Sequence, residues 1–219
     1  MYKLAGVTTG PIATNCYTVI NEETGEAILI DATGRAEVLL RAAKEAGAKV
    51  KALLLTHGHF DHVDAVDEVR KLCPDIEVVI GEKDVPILEN PSLNLSLSFM
   101  GEAFSTKADR TVKDGEEIEL IGLKIRCIEV PGHTAGGMCY YTEVSSKAEG
   151  EGVIPVLFDG DTLFHGSVGR SDFPTGDEEA LLSSIKEKLF SLPDETHVFP
   201  GHNSDTTIGY EKQTNIYFC

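Results

Sequence analysis

Between Thr56 and His62 the chain reads Thr-His-Gly-His-Phe-Asp-His, so four side chains able to bind a metal ion fall within six residues. Imidazole and carboxylate without thiolate suit Zn²⁺, Fe²⁺ or Mn²⁺ rather than a structural cysteine-zinc site. On a helix His57 and His59 would point to nearly opposite faces. In an extended turn, residues two apart share a face and can grip one ion. Asp61 and His62 are adjacent and must diverge, which suits a second ion beside the first, and Gly58 permits a sharp backbone path between them. Three further candidates each follow an apolar run by three residues through a Gly-containing turn: His133 after Pro131-Gly132, Asp161 after Asp159-Gly160, and His202 after Pro200-Gly201. One split places His57, His59 and His133 on one ion and Asp61, His62 and His202 on the other, with Asp161 bridging. Two divalent cations against two aspartates and a bridging hydroxide come close to charge balance, as a partly buried pocket requires.

Elements must deliver these side chains to one place. Apolar patterning predicts strands over Tyr2–Thr8, Tyr17–Asn21, Ala27–Asp31, Lys51–Leu55, Ile76–Ile80, Glu117–Leu120, Leu123–Val130, Met138–Glu143, Val153–Phe158 and His197–Phe199. Helical spacing runs over Arg35–Ala46, closed by Gly47, over Val63–Leu72, stopped by Pro74, over Glu82–Leu88, and over Asp177–Leu192 with Asp177 as N-cap. Asn90–Lys107 is polar and Gly-containing, a flap over a site, and Ser145–Gly152 reads as a flexible acidic loop. Strand pairs mixed with helices predict a layered α/β fold, and no Pro/Ser-rich linker divides the chain, so a single domain over 1–219 is expected. In open α/β sheets the carboxyl ends of strands are where sites are built, and four strands here end in His- or Asp-bearing turns.

The chain has 219 residues with 19 basic and 36 acidic side chains, a net charge of −17. That balance argues against nucleic-acid or anionic-membrane partners, because no basic cluster compensates it. The N-terminus has no signal-peptide pattern and no apolar run is long enough to cross a bilayer. Five cysteines without a C-x-x-C pair read as thiols in a reducing compartment, with Cys16, Cys127 and Cys139 in the core, so a cytoplasmic protein is expected.

The His-x-His-x-Asp-His segment, Pro-Gly-His-Thr at 131–134, Gly-Asp-Thr-Leu-Phe at 160–164 and Pro-Gly-His at 200–202 together resemble the metallo-β-lactamase superfamily, and within it the short glyoxalase II (hydroxyacylglutathione hydrolase)-like branch. The resemblance covers nearly the whole chain from Ala13 onward. It implies an αββα four-layer sandwich with mixed sheets and the metal site at one edge. It further implies two divalent metal ions, zinc first and iron or manganese as alternatives, on His57, His59, Asp61, His62, His133, Asp161 and His202. Full-length glyoxalase II carries a helical C-terminal extension for glutathione; only 17 residues follow His202, so no such domain is expected. The family's basic residue in the loop after the bridging aspartate corresponds to Arg170, a substrate-binding candidate. The aromatic expected two residues later is replaced by Asp172, with Phe173 one further on.

The expected chemistry is attack by a metal-bridging hydroxide, formed near neutral pH because coordination lowers the pKa of water to about 7. Asp61, as a catalytic residue, would accept its hydrogen bond and aim it. A small thioester is the favoured substrate, since a thiol of pKa about 8.5 departs as thiolate without a proton donor. A persulfide dioxygenase on the same fold, with one iron on His57, His133 and Asp161, is the alternative. Asp31 and Asp159 are supporting candidates, His165 an exposed loop residue or substrate contact, and His197 packed in or beside a strand.

Overall fold

Strand residues on each sheet alternate between two apolar layers, so both faces of both sheets are covered. The computed structural model describes residues 1–145 and 152–219. Its first half runs β1 (Tyr2–Thr9), β2 (Thr14–Asn21), β3 (Glu26–Ile30), α1 (Ala36–Leu39), α2 (Arg41–Glu45), β4 (Lys49–Leu54), α3 (Phe60–Val63), α4 (Val66–Leu72), β5 (Glu77–Gly81), α5 (Val85–Leu88), α6 (Ser96–Met100) and β6 (Arg110–Val112). The second half runs β7 (Glu117–Leu120), β8 (Leu123–Glu129), β9 (Met138–Ser145), β10 (Val153–Gly160), β11 (Leu163–Phe164), β12 (Ser167–Val168), α7 (Glu178–Lys188), β13 (His197–Pro200), β14 (Thr206–Thr207) and α8 (Ile208–Thr214). Strands β1-β2-β3-β4-β5-β6 form one mixed sheet and β14-β13-β10-β9-β8-β7 the other, with β11 and β12 a separate hairpin.

Three apolar clusters separate four layers. Leu29, Leu53, Val78 and Ile80 pack outward from the first sheet against Leu39, Ala43, Val66 and Val69 of the helices. The residues between them, Ile28, Ile30, Leu54 and Val79, turn inward to meet Ile125, Tyr140, Val156 and Phe158 of the second sheet. The second sheet's other face, with Ile128, Cys139, Leu157 and Val198, is covered by Leu181 and Ile185 of α7 and Ile208 of α8. That order is the αββα sandwich. Burying a side chain of this size is worth about 1.5–3 kcal/mol, so the two strand faces together dominate the stability. Tyr140 also ties the sheets by donating its hydroxyl to Leu55 O at 2.8 Å.

The topology gathers strand ends. Strand β8 is antiparallel to β9, β9 to β10, and β10 is parallel to β13, so β8, β10 and β13 all point the same way. Their carboxyl ends deliver His133, Asp161 and His202 to one edge, and β4 delivers His57 from the facing sheet.

Several element boundaries differ from expectation. The helix expected over Arg35–Ala46 is two short helices, because Leu40 (φ −79°, ψ −6°) flattens the turn between them, while Gly47 caps the second with φ +66° as expected. The helix expected from Val63 is likewise split, and its first piece, α3, begins at Phe60 inside the metal-ligand segment. Strands β10 and β13 extend through Gly160 and Pro200, so Asp161 follows its strand directly and His202 lies one residue beyond Gly201. The acidic loop expected over Ser145–Gly152 lies, from 146 to 151, outside the described residues. Among the described residues no helix is long and apolar enough to cross a membrane.

Candidate metal centre

The segment after β4 combines two conformations. His59 is extended, at φ −68° and ψ 146°, and then α3 carries Asp61 and His62. Extended spacing sends the first two imidazoles to the same region; helical spacing separates the next two side chains by about 100°. Gly58 is required for room rather than for the sharp path expected of it. A Cβ there would lie 2.7 Å from the Leu88 backbone nitrogen, and its φ is not in the left-handed region. Gly201 is equally constrained, since a Cβ would lie 2.5 Å from both Asp161 Oδ1 and the His62 ring.

The seven side chains meet. The donor atoms of His57, His59 and His133 lie within 4.8 Å of one another, as do those of Asp61, His62 and His202, and those of His57, His62 and Asp161 join the two groups. His59 Nδ1 is 2.9 Å from His133 Nε2, and Asp161 oxygens lie 3.2 Å from His62 Nε2, 3.6 Å from His133 Nε2 and 3.5 Å from His202 Nε2. His57, His59 and His62 are buried, and His202 is the most open of the set.

Partners behind the ring set its tautomers. Thr56 donates its hydroxyl to Asp31 Oδ2 at 2.8 Å, so its oxygen must accept from His57 Nδ1–H at 3.1 Å. Asp31 Oδ2 also accepts from His62 Nδ1–H at 2.8 Å, and the Arg170 carbonyl accepts from His133 Nδ1–H at 2.7 Å. Each of these contacts leaves the opposite nitrogen facing the centre, the arrangement by which outer partners orient metal-binding histidines. His57 Nε2, His62 Nε2 and Asp161 Oδ1 are buried without an aligned hydrogen-bond partner. Buried polar atoms are normally satisfied, and these three orphans, gathered within 4.8 Å of one another without an aligned hydrogen bond, suit a shared divalent cation. The donor set and the orphans together fit divalent metal.

Charge divides the centre in two. Burial, reinforced by the neighbouring imidazoles, pushes His57 far below its usual range and His59 down to about 3, and burial also lowers His133. These three are neutral donors at pH 7. At His62 burial opposes the charge, but Asp61, Asp161 and Asp31 outweigh it and raise the imidazole well above its usual range. His202 is raised by its contact with Asp61 despite burial. Asp61 and Asp161 resist the upward push of burial because His62 and its neighbours hold them ionised.

Around the centre, Asp31 is a supporting group as expected, in the left-handed region at φ +57° and accepting the Thr56 amide as well. Asp159 is buried and accepts from Leu163 N at 2.9 Å, holding the turn that follows Asp161. His165 is exposed and stacks on Tyr210, and His197 begins β13. Arg170 makes a two-pronged contact with Asp172 at 2.7 and 2.6 Å and lies 3.9 Å over the Phe173 ring. Phe173 in turn meets His59 edge-on at 5.6 Å.

Two contributors escape sequence reading. Thr14 donates to Asp61 Oδ2 at 3.3 Å from the first hairpin. Asp84, fully buried, accepts from Gly58 N through one oxygen and from Gly136 N through the other, both at 2.7 Å. It clamps the loop of His57 and His59 to the loop that follows His133, yet in sequence it is one acid among several near Glu82.

Four covered layers and a His/Asp centre at the strand ends define a metal-binding α/β sandwich. Residues 9–202 match the family model of the metallo-β-lactamase superfamily, and the chain belongs to that family. It is 37% identical to the hydroxyacylglutathione hydrolase GloC of Haemophilus influenzae, over 93% of this chain and 92% of that one. It superposes on the B3 metallo-β-lactamase BLEG-1 with a TM-score of 0.87 and 36% identity, covering 100% and 99% of the two chains. It superposes on TTHA1623, solved in a di-iron-bound form, with a TM-score of 0.77 and 36% identity over 97% and 99%.

Proposed function

We propose that this metallohydrolase-superfamily chain cleaves small thioesters of the hydroxyacyl-thiol type, with two divalent cations, zinc foremost. The observation that carries the reading is the convergence of all seven donors, with three buried polar atoms left facing one another. Likeness to GloC supports the thioester class. His57, His59 and His133 would hold one cation, Asp61, His62 and His202 the other, and Asp161 would bridge. Such a pair supplies Lewis acidity toward the substrate carbonyl and lowers the pKa of a bound water to about 7.

The chain's own groups do the rest. Asp61, held ionised and contacted by Thr14, would accept a hydrogen bond from the attacking water and aim its oxygen. Asp31 and Thr56 keep His57 and His62 in the tautomers that leave Nε2 facing the pocket. Water adds to the acyl carbon, the carbon–sulfur bond breaks, and the products are a carboxylic acid and a thiol. No group is needed to protonate the leaving sulfur, whereas an amide nitrogen needs one.

The test is protein loaded with zinc and, in parallel, with iron, assayed with S-lactoyl thioesters, a penicillin, and a persulfide with an oxygen electrode. Thioester hydrolysis at the highest kcat/KM is the expected result. Oxygen uptake with persulfide and one iron per chain, or faster β-lactam turnover, would overturn it.

A further inference from the structure

A line of aromatic rings runs from the histidines to the surface. Phe173 meets His59 at 5.6 Å and His133 at 6.4 Å; Phe99 meets Phe173 at 5.9 Å and stacks on Phe60 at 5.7 Å. Phe60 is part of α3, between the ligand candidates His59 and Asp61. Phe99 belongs to α6, in the segment expected to form a flap, and it is 55% exposed, with Leu97 at 49% and Met100 at 43% on the same short helix. Of these, Phe99 is the one whose ring contacts join the exposed surface to Phe60 and Phe173. The helix is held in place. Asn94 O accepts from Phe60 N at 2.8 Å and Asn94 Nδ2 donates to Phe104 O at 2.8 Å, tying the entry to α6 to the metal-ligand segment.

The one cation in this line is already engaged. Arg170 gives both prongs to Asp172 and its face to Phe173, so an anionic substituent would have to displace a carboxylate at 2.6–2.7 Å. The chain's net charge of −17 further opposes a substrate bearing extra negative charge. A ring centred 5.6 Å from His59 is within reach of a group attached directly to the reacting carbonyl.

Resting on the thioester reading above, we propose that Phe173 and Phe99 favour substrates whose acyl group is uncharged and carries an apolar chain beyond the carbon next to the carbonyl, and that Arg170 serves by holding Phe173 rather than by binding a substrate carboxylate. Full burial of a methylene is worth about fourfold in binding; on an open rim about half of that, roughly twofold per methylene, is expected.

The test uses zinc-loaded protein with S-acetyl, S-butanoyl and S-hexanoyl thioesters of N-acetylcysteamine, and S-acetylglutathione as the carrier control. From acetyl to hexanoyl kcat/KM should rise about fifteenfold, and the glutathione carrier should bring no gain. In Phe99→Ser, a change at an exposed position, the hexanoyl-to-acetyl ratio should fall about tenfold. Ketone analogues with CH₂ in place of sulfur, followed by calorimetry, should show the same chain-length dependence in Kd and the same loss in the variant. A flat acyl series, a dependence on carrier alone, or an unchanged ratio in Phe99→Ser would overturn the assignment. Failure to hydrolyse any member would instead count against the thioester reading, and the ketone series would still decide for or against the rim.

Discussion

The two halves of the metal centre are built from different electrostatics. His57, His59 and His133 are buried and neutral, and a hydroxyl and a carbonyl fix the tautomers of His57 and His133. Around Asp61, His62 and His202 the carboxylates favour charge, raising both imidazoles above their usual range, His62 the more strongly. In the first half, donors stand ready and no proton need leave when a cation arrives. In the second, the raised His62 imidazole must give up a proton before it can hold a cation. One fold edge thus presents a site set by desolvation beside a site set by charge, and each should fail in its own way.

Removing the bridge should have the largest effect. Asp161→Ala takes away the carboxylate shared by both groups, and kcat/KM should fall on the order of 10³-fold, with one of two metals lost by elemental analysis. Retention of both metals and of activity would separate the two halves entirely. Asp31→Ala should act on both at once. It strips acceptors from Thr56 N, Thr56 Oγ1 and His62 Nδ1. Stability should drop by about 3 kcal/mol in urea and metal affinity by 10–100-fold.

Asp84→Asn should be confined to the histidine half. An amide nitrogen would face one of two backbone N–H donors, so the clamp on Gly58 and Gly136 cannot be kept. The tighter-binding metal should weaken about tenfold while the second is little changed; equal weakening of both would show that the clamp is not local.

Smallest is the pH response of metal-free protein. The depressed histidines stay neutral when folded but bind protons when unfolded, so stability falls as pH drops below about 6.5. His62 and His202 have raised folded pKa values, so the stability they contribute is full below about 6.5 and is lost as pH rises through those values. The melting temperature of chelator-treated protein should therefore peak near neutrality and fall by a few degrees on either side, and zinc should flatten the alkaline side. A monotonic profile would contradict the division of charge.

Much of this was legible in sequence because the donors are rare residue types at fixed offsets from apolar runs. The continuous apolar runs Ala27–Ile30 and Ala52–Leu55 mark strands buried on both faces, and Asp177 caps α7 as expected, accepting from Ala180 N. What escaped is short or long-range. Strands of two or three residues, such as β6 and β14, carry no period, and α8 was hidden behind them. The start of α3 inside the ligand segment was not readable either, because Gly58 and the histidines give no helical signal. Asp84 and Thr14 act through backbone or carboxylate partners 26 to 52 residues away, which no local pattern encodes.

The most direct measurement is a zinc titration of metal-free protein by calorimetry at pH 7, run in two buffers of different ionisation heat. Two cations per chain should bind, the first with little buffer-dependent heat and the second with heat that reports protons leaving the His62 half and the water it helps to hold. A single binding event, or uptake of both cations without proton release, would contradict the account.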